Sequence, residues 1–249
     1  MGWAEFRQRI VEDAKSFWFG DGERAPWARR VLAVIFFFLV PAPLLLILVF
    51  RFVPIPFAPE MLASLIEGEG VHYEWRPRSD IAPSLSRAVI ASEDEDFCSH
   101  NGFDWNDIKK ALKEHARGRP LRGASTISQQ TARSLFLLPV RSWVRKGAEA
   151  YLTVLIEALW PKKRILTVYL NIVDWGHGNF GAEAAARAYF KKSSAELSSR
   201  EAARLAVVLA SPDVWRAAHP GPYVASRTDT ILARMGEVTR DGLDWCAKD

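Results

Sequence analysis

Val31–Phe50 runs for twenty residues without a charge, VLAVIFFFLVPAPLLLILVF, and no other feature limits the possible folds as strongly. At about 1.5 Å per residue a helix of this length matches a hydrocarbon core of ~30 Å, so the stretch reads as a transmembrane helix. Pro41 and Pro43 should kink it, which a spanning helix tolerates where the freed carbonyls find other partners. A cleaved signal peptide is the alternative. Its apolar region would run only ~7–15 residues and end at small residues, which Arg51-Phe-Val-Pro-Ile-Pro does not supply. Lys15, Arg24, Arg29 and Arg30 precede the run, whereas Arg51 stands alone after it until Arg76. This asymmetry predicts a cytoplasmic N-terminus and an external remainder. The chain then divides into a cytoplasmic tail (1–30), the span (31–50), an extended proline-rich stalk (51–60) and an external domain (61–249).

Composition narrows the class further. The chain has 249 residues, enough for one sizeable core, and its hydrophobic content of 49% excludes a disordered protein. A formal charge of +4 suits an anionic partner, and membrane lipid or pyrophosphate both fit. There is no nucleic-acid module signature, so nucleic acid is not an expected partner. Ten tryptophans suit a membrane interface as well as an aromatic core. Cys98 and Cys246 make neither a disulfide framework nor a metal site; they could form one bridge in an oxidising compartment, but the expectation is against it, because one lies inside an acidic motif and the other in a frayed tail.

Beyond the stalk the patterns are helical and alternating strand patterns are missing, so the external domain is mainly α. Helices are expected over Ala82–Ser92, over Trp105–Ala116 with Asp104 as its cap, over Ala124–Leu138 and from Arg141 to Trp160. Further helices are expected over Arg164–Asn171, Ala182–Phe190 and Ala202–Ala210, the last preceded by a Ser198/Glu201 capping box. Arg117–Gly123 is a basic loop, and Gly176 and Gly181 punctuate a tight turn.

Ile90–Trp105 collects Glu93, Asp94, Glu95, Asp96 and His100 between an apolar run and a helix start. A solvated acidic turn explains this, but so does a carboxylate tuned for proton transfer. Neighbouring anions disfavour ionisation of Glu93, which would suit a general base. Arg145 and Glu149 are one helical turn apart, the spacing of an ordinary surface pair.

Glu93-Asp-x-x-Phe97-x-x-His100-x-Gly102-x-Asp104 resembles the first motif of the peptidoglycan glycosyltransferases, which polymerise lipid II. Four further stretches match that family in order: Gly123-Ala-Ser-Thr-Ile-Ser-Gln-Gln130, Arg145-Lys-x-x-Glu149, Tyr169-Leu-Asn171 followed by Gly176, Gly181, Ala185 and Ala186, and Leu205-Ala-Val-Val-Leu-Ala-Ser-Pro212. The match covers roughly 81–234. Ala124, Arg133 and Ser134 depart from the usual pattern, which bears on how Arg133 seats pyrophosphate.

The resemblance implies a lysozyme-like glycosyltransferase domain anchored in the bacterial inner membrane, with the catalytic domain periplasmic. Its substrates would be lipid II and the growing glycan strand. Glu93 would be the general base and Glu149 a second acid of the cleft that positions a phosphate-binding cation or water. Asp94, His100, Ser125, Thr126, Gln129, Gln130, Tyr169 and Asn171 would line the substrate cleft, with Asp94, His100 and Asp104 also holding the Glu93 loop in place, and Arg133, Arg141, Arg145 and Lys146 would supply cations for the leaving pyrophosphate. No cofactor is demanded. A divalent ion such as magnesium on the pyrophosphate is chemically reasonable, although no ligand cluster with recognisable spacing exists. Wall-synthesis and cell-division proteins are compatible partners. No Ser-x-x-Lys or Lys-Thr-Gly occurs, so a monofunctional enzyme is expected. The rivals are a membrane-anchored lysozyme-like hydrolase or lytic transglycosylase, and a non-catalytic scaffold. Leu135–Val140 with Trp143 is apolar enough to dip into the outer leaflet or, alternatively, to be buried.

Overall fold

The computed structural model describes residues 3, 5–9, 11–12, 26–119, 123, 125–140 and 142–248. Much of the N-terminal tail, residues 120–122 of the basic loop, Ala124 and Arg141 lie outside the described residues. The chain divides into two compact units between Val49 and Phe50.

Helices α1 (Pro26–Leu39) and α2 (Pro41–Phe50) carry the apolar run, and Arg29–Phe50 is long and apolar enough to cross a membrane. This is compatible with a single-pass anchor. Val40 interrupts the helix immediately before Pro41 and Pro43, whose rings supply no N–H. The interruption is local, because the Leu44 amide still reaches the Val40 carbonyl at 3.2 Å.

The proline-rich segment after the span is extended but not free. Ile55 and Ala58 are buried, Tyr73 donates its hydroxyl to the Ile55 carbonyl, and the Arg164 guanidinium holds the Phe50 carbonyl at 2.6 and 2.9 Å. The segment therefore lies along the domain as an extended strap. The strap runs into α3 (Pro59–Glu67), with Glu60 in its first turn.

The rest of this unit is built from helices whose ends follow local chemistry. They are α4 (Pro83–Glu93), α5 (Trp105–Ala116), α6 (Ile127–Phe136), α7 (Trp143–Leu159), α8 (Lys162–Ile172), α9 (Gly181–Phe190), α10 (Ser199–Val208) and α11 (Pro222–Arg240). Asp104 accepts the amides of Asn106 and Asp107, satisfying orphan donors of α5. Thr126 with Gln129, and Ser198 with Glu201, close reciprocal capping boxes on α6 and α10. Helices α4, α10 and α11 pack against one another, and α6 packs between α7 and α8.

Two features lie outside the sequence expectations. A two-residue parallel pair, β1 (His72–Tyr73) with β2 (Asn179–Phe180), aligns His72 with Asn179. More consequentially, the C-terminal region is not a frayed tail. Helix α11 buries Val224, Thr228, Ile231, Met235 and Val238 along one seam, and a turn at Trp245–Ala247 follows it. That turn carries Cys246 to Cys98 in a disulfide, with Cα atoms 5.5 Å apart. The expectation of unpaired cysteines is corrected: folding the C-terminal helix onto α4 brings together sulfurs 148 residues apart.

Gly176 and Gly181 have the structural roles expected of them. Both have left-handed backbones, φ +97° and +84°, and an added Cβ would lie 2.2 Å from the Pro212 carbonyl oxygen and 2.3 Å from that of Asn171.

Candidate active site

Glu93 is the last residue of α4, where the chain leaves the helix and turns under the N-terminus of α6. Its Oε2 accepts a hydrogen bond from Gln130 Nε2 at 2.9 Å, and the hydroxyl of Ser92 approaches Oε1 at 3.5 Å. Tyr169 donates its hydroxyl to Gln130 Oε1 at 3.1 Å, which fixes the amide so that its NH2 faces the carboxylate. A relay from α8 through α6 to α4 therefore aims Glu93. Burial raises the Glu93 pKa above the ordinary 4.5, against the opposing effects of Gln130, Ser92 and Arg133. The neighbouring acids are not the main cause: Asp94 adds least, and Glu95 and Asp96 are exposed.

Asp94 has a different task. Its Oδ2 accepts the Ile127 amide at 2.8 Å, capping α6, and its Oδ1 lies 2.8 Å from His100 Nε2. His100 Nδ1 accepts the Gly102 amide at 3.2 Å, so the ring proton sits on Nε2 and points at Asp94. Thr126 donates its hydroxyl to the Gly102 carbonyl at 2.7 Å while its amide donates to Gln129 Oε1 at 3.0 Å. The side chains of Asp94 and His100, expected to support the Glu93 loop, join with those of Thr126 and Gln129 in holding the first two motifs together.

Asn171 is held within the protein in a similar way. It is buried, its Oδ1 accepts the Arg76 amide at 2.7 Å, and its Nδ2 donates to the carbonyls of Arg76 and Thr167. It clamps α8 to the segment before α4. Ser125 is exposed ahead of α6. Arg141 lies outside the described residues.

The cations form a second group. Arg133 is on the same face of α6 as Gln130, one turn on, and its Nε lies 3.7 Å from Glu60 Oε1. On α7, Glu149 is only 2% exposed, and Arg145 NH1 donates to its Oε2 at 3.0 Å while Lys146 pairs with its Oε1. Glu60 was not anticipated. Burial raises its pKa, with Arg133, Ser134 and Arg145 pulling it down, so this acid links the cations of α6 and α7.

A groove of about 290 Å³ opens beside this group, lined among others by Glu60, Gln130, Arg133, Asp174, Pro212 and Asp213. Pro212 brings the fifth motif to its wall. Asp174, also unforeseen, has its pKa pushed up to about 6, chiefly by burial, with Asp213, Glu60 and Glu69 adding repulsion against the Gly176 amide. Beyond α6 the chain exposes Leu138, Val140, Trp143 and Val144, the last two at 88% and 84%, whereas Leu135 is buried and Phe136 half-buried.

The donor set is poor for a protein-held metal: among the described residues no group of three or more His, Cys, Asp or Glu could hold one.

Comparison with known proteins gives a consistent picture. A family model described as Transglycosylase matches residues 59–236. The biosynthetic peptidoglycan transglycosylase of Caulobacter vibrioides is 49% identical over 218 residues, covering 88% of this chain and 95% of that protein. Its namesake from Rhodospirillum centenum is 50% identical over 201 residues, covering 80% and 87%. That from Chromohalobacter salexigens is 48% identical over 221 residues, covering 85% and 94%.

Proposed function

We propose, since the chain belongs to the transglycosylase family, that its peptidoglycan glycosyltransferase activity is carried by Glu93 as general base, with Arg133, Arg145 and Lys146 receiving the departing pyrophosphate. The enzyme polymerises glycan strands from lipid II on a helical, lysozyme-like domain. In the proposed step, Glu93 takes the proton from a sugar hydroxyl of the acceptor lipid II. The oxygen so released bonds to the anomeric carbon of the lipid-linked strand. The bond from that carbon to the pyrophosphate breaks, and its electron pair leaves with the phosphate.

One observation carries the assignment: Glu93 is aimed by Gln130 and Tyr169 and is made more basic than an ordinary carboxylate by burial. A base whose pKa is raised toward the working pH holds a transferred proton better while remaining ionised enough to accept it. The leaving group needs cations rather than a proton donor. Buried Glu149 supplies them indirectly: it is a positioning residue that holds Arg145 and Lys146 on one face of α7.

Outside orientation of residues 51–249 fits the charge asymmetry across the span, and a disulfide in this region is expected to persist only where thiols are oxidised. The exposed Leu138, Val140, Trp143 and Val144 support a reading in which this loop enters the outer leaflet, so that the prenyl chain reaches the groove without leaving lipid. If Leu138→Asp with Trp143→Asp leaves both vesicle binding of the span-deleted domain and lipid II turnover unchanged, that membrane role is wrong.

The functional test is incubation of the membrane-embedded protein with labelled lipid II, wild type beside Glu93→Gln. Polymer from the wild type alone is the expected result. Shortening of finished glycan would instead indicate a hydrolase, and conversion of neither substrate a scaffold.

A further inference from the structure

The segments on both sides of α4 are fastened by two adjacent residues of the C-terminal turn. Before the helix, Arg78 NH2 donates to the Ala247 carbonyl at 3.4 Å. After it, Cys98 is bonded to Cys246, and the Cys246 amide donates to Cys98 Sγ at 3.3 Å. Both cysteines are buried, at 7% and 9% exposure. The turn is itself fixed, because it follows α11, which packs along α4, and it also touches α8, which bears Tyr169.

Only four residues separate Glu93 from Cys98, and this stretch is made of tight turns. The Phe97 amide donates to the Asp94 carbonyl at 3.1 Å and the Ser99 amide to that of Asp96 at 2.8 Å. Phe97 is fully buried, with the Lys162 ammonium 4.6 Å from its ring centre. Displacement of Cys98 therefore propagates to His100 and to its partner Asp94, which accepts the Ile127 amide at the start of α6, and from α6 to Gln130 on the Glu93 carboxylate. Among the described residues this is the covalent constraint nearest the proposed base.

We propose that the Cys98–Cys246 bridge is a positioning device for the base, holding the Glu93–His100 loop under α6 so that catalytic turnover requires the oxidised protein. The proposal rests on the Glu93 reading above and deepens it. A chain carrying free thiols is folded but slow, and it reaches full activity when a thiol oxidant of the external compartment removes two electrons and two protons to form the S–S bond.

The test uses the full-length protein in lipid vesicles. Cys98→Ala/Cys246→Ala is compared with wild type for kcat, KM and pH profile on lipid II, with helical circular dichroism as the check on folding. The groups facing Glu93 are Ser92, Asp94, Gln130, Arg133 and Tyr169. Loosening the loop lets water in and weakens the Gln130 hydrogen bond, and because burial outweighs that bond in setting the Glu93 pKa, the net shift is downward. The expected result is native helical content, kcat reduced at least about tenfold, KM within about twofold and an acid limb moved to lower pH. As a second measurement, dithiothreitol reduces the wild-type bridge to two thiols, closing to its own cyclic disulfide, and reoxidation should restore kcat. A folded double variant with unchanged kcat would overturn the proposal. So would a kcat loss that appears only together with lost helix, because the bridge would then be a folding staple. Absence of polymer from oxidised wild type would overturn the functional reading and this proposal with it. Full activity of the reduced protein would sink the bridge's role alone.

Discussion

Two glutamates of the same site are held in opposite ways. Glu93 sits at the end of α4 with a neutral amide and a hydroxyl as its closest partners, and burial makes its proton harder to lose. Glu149 sits within α7 and is clasped by two cations from its own helix. In the proposed division of labour, the carboxylate without a contacting cation acts as the base, and the one paired twice orders the cations around it. Residue type is the same in both cases, and the difference lies in which neighbours the fold provides.

Substitution should separate the two sharply. Glu93→Gln keeps the shape and removes the base, so polymerisation of lipid II should fall by roughly 10²–10⁴-fold. Its melting temperature should stay level or rise, because a neutral amide avoids the burial cost of a charge. Glu149→Gln should lose up to about 10²-fold in rate through misplaced cations. It should also lose about 1–2 kcal/mol of stability, solvent at half-exposed Lys146 screening part of the pair, which thermal unfolding would measure. Equal stability of the two variants would erase the proposed distinction. Gln130→Ala removes one hydrogen bond to a charged group and should cost about tenfold in kcat/KM. Tyr169→Phe only frees the amide to rotate, and a loss of about two- to fivefold in kcat/KM is expected.

The sequence made local chemistry legible and left the long-range contacts hidden. The ends of α5, α6 and α10 follow from Asp104, from Thr126 with Gln129, and from Ser198 with Glu201, since a cap acts within one turn. The Arg145–Glu149 pair likewise follows from helical spacing, although its burial does not. Helix α11 carries a readable signal in the helical spacing of Val224, Thr228, Ile231, Met235 and Val238. The disulfide, the approach of Glu60 to Arg133 and the commitment of Asn171 to Arg76 depend on segments far apart in the chain. Motif membership marked Asp94, His100, Thr126, Gln129 and Asn171 as important and let Asp94 and His100 be read as supports of Glu93, but the partners Ile127, Gly102 and Arg76 lie in other segments and could not be read from it. A pattern records that a position matters, whereas the hydrogen-bond partners reveal how.

The pH dependence of kcat/KM for lipid II polymerisation, measured for wild type and Gln130→Ala, tests the role of Glu93 most directly. A base works when deprotonated, so activity should fall as pH drops through the Glu93 pKa, which lies above 4.5. Gln130 donates to the anion and lowers that pKa, so its removal should move the acid limb to higher pH. An acid limb at or below the ordinary carboxylate value, or one that stays in place in Gln130→Ala, would contradict Glu93 as the buried base.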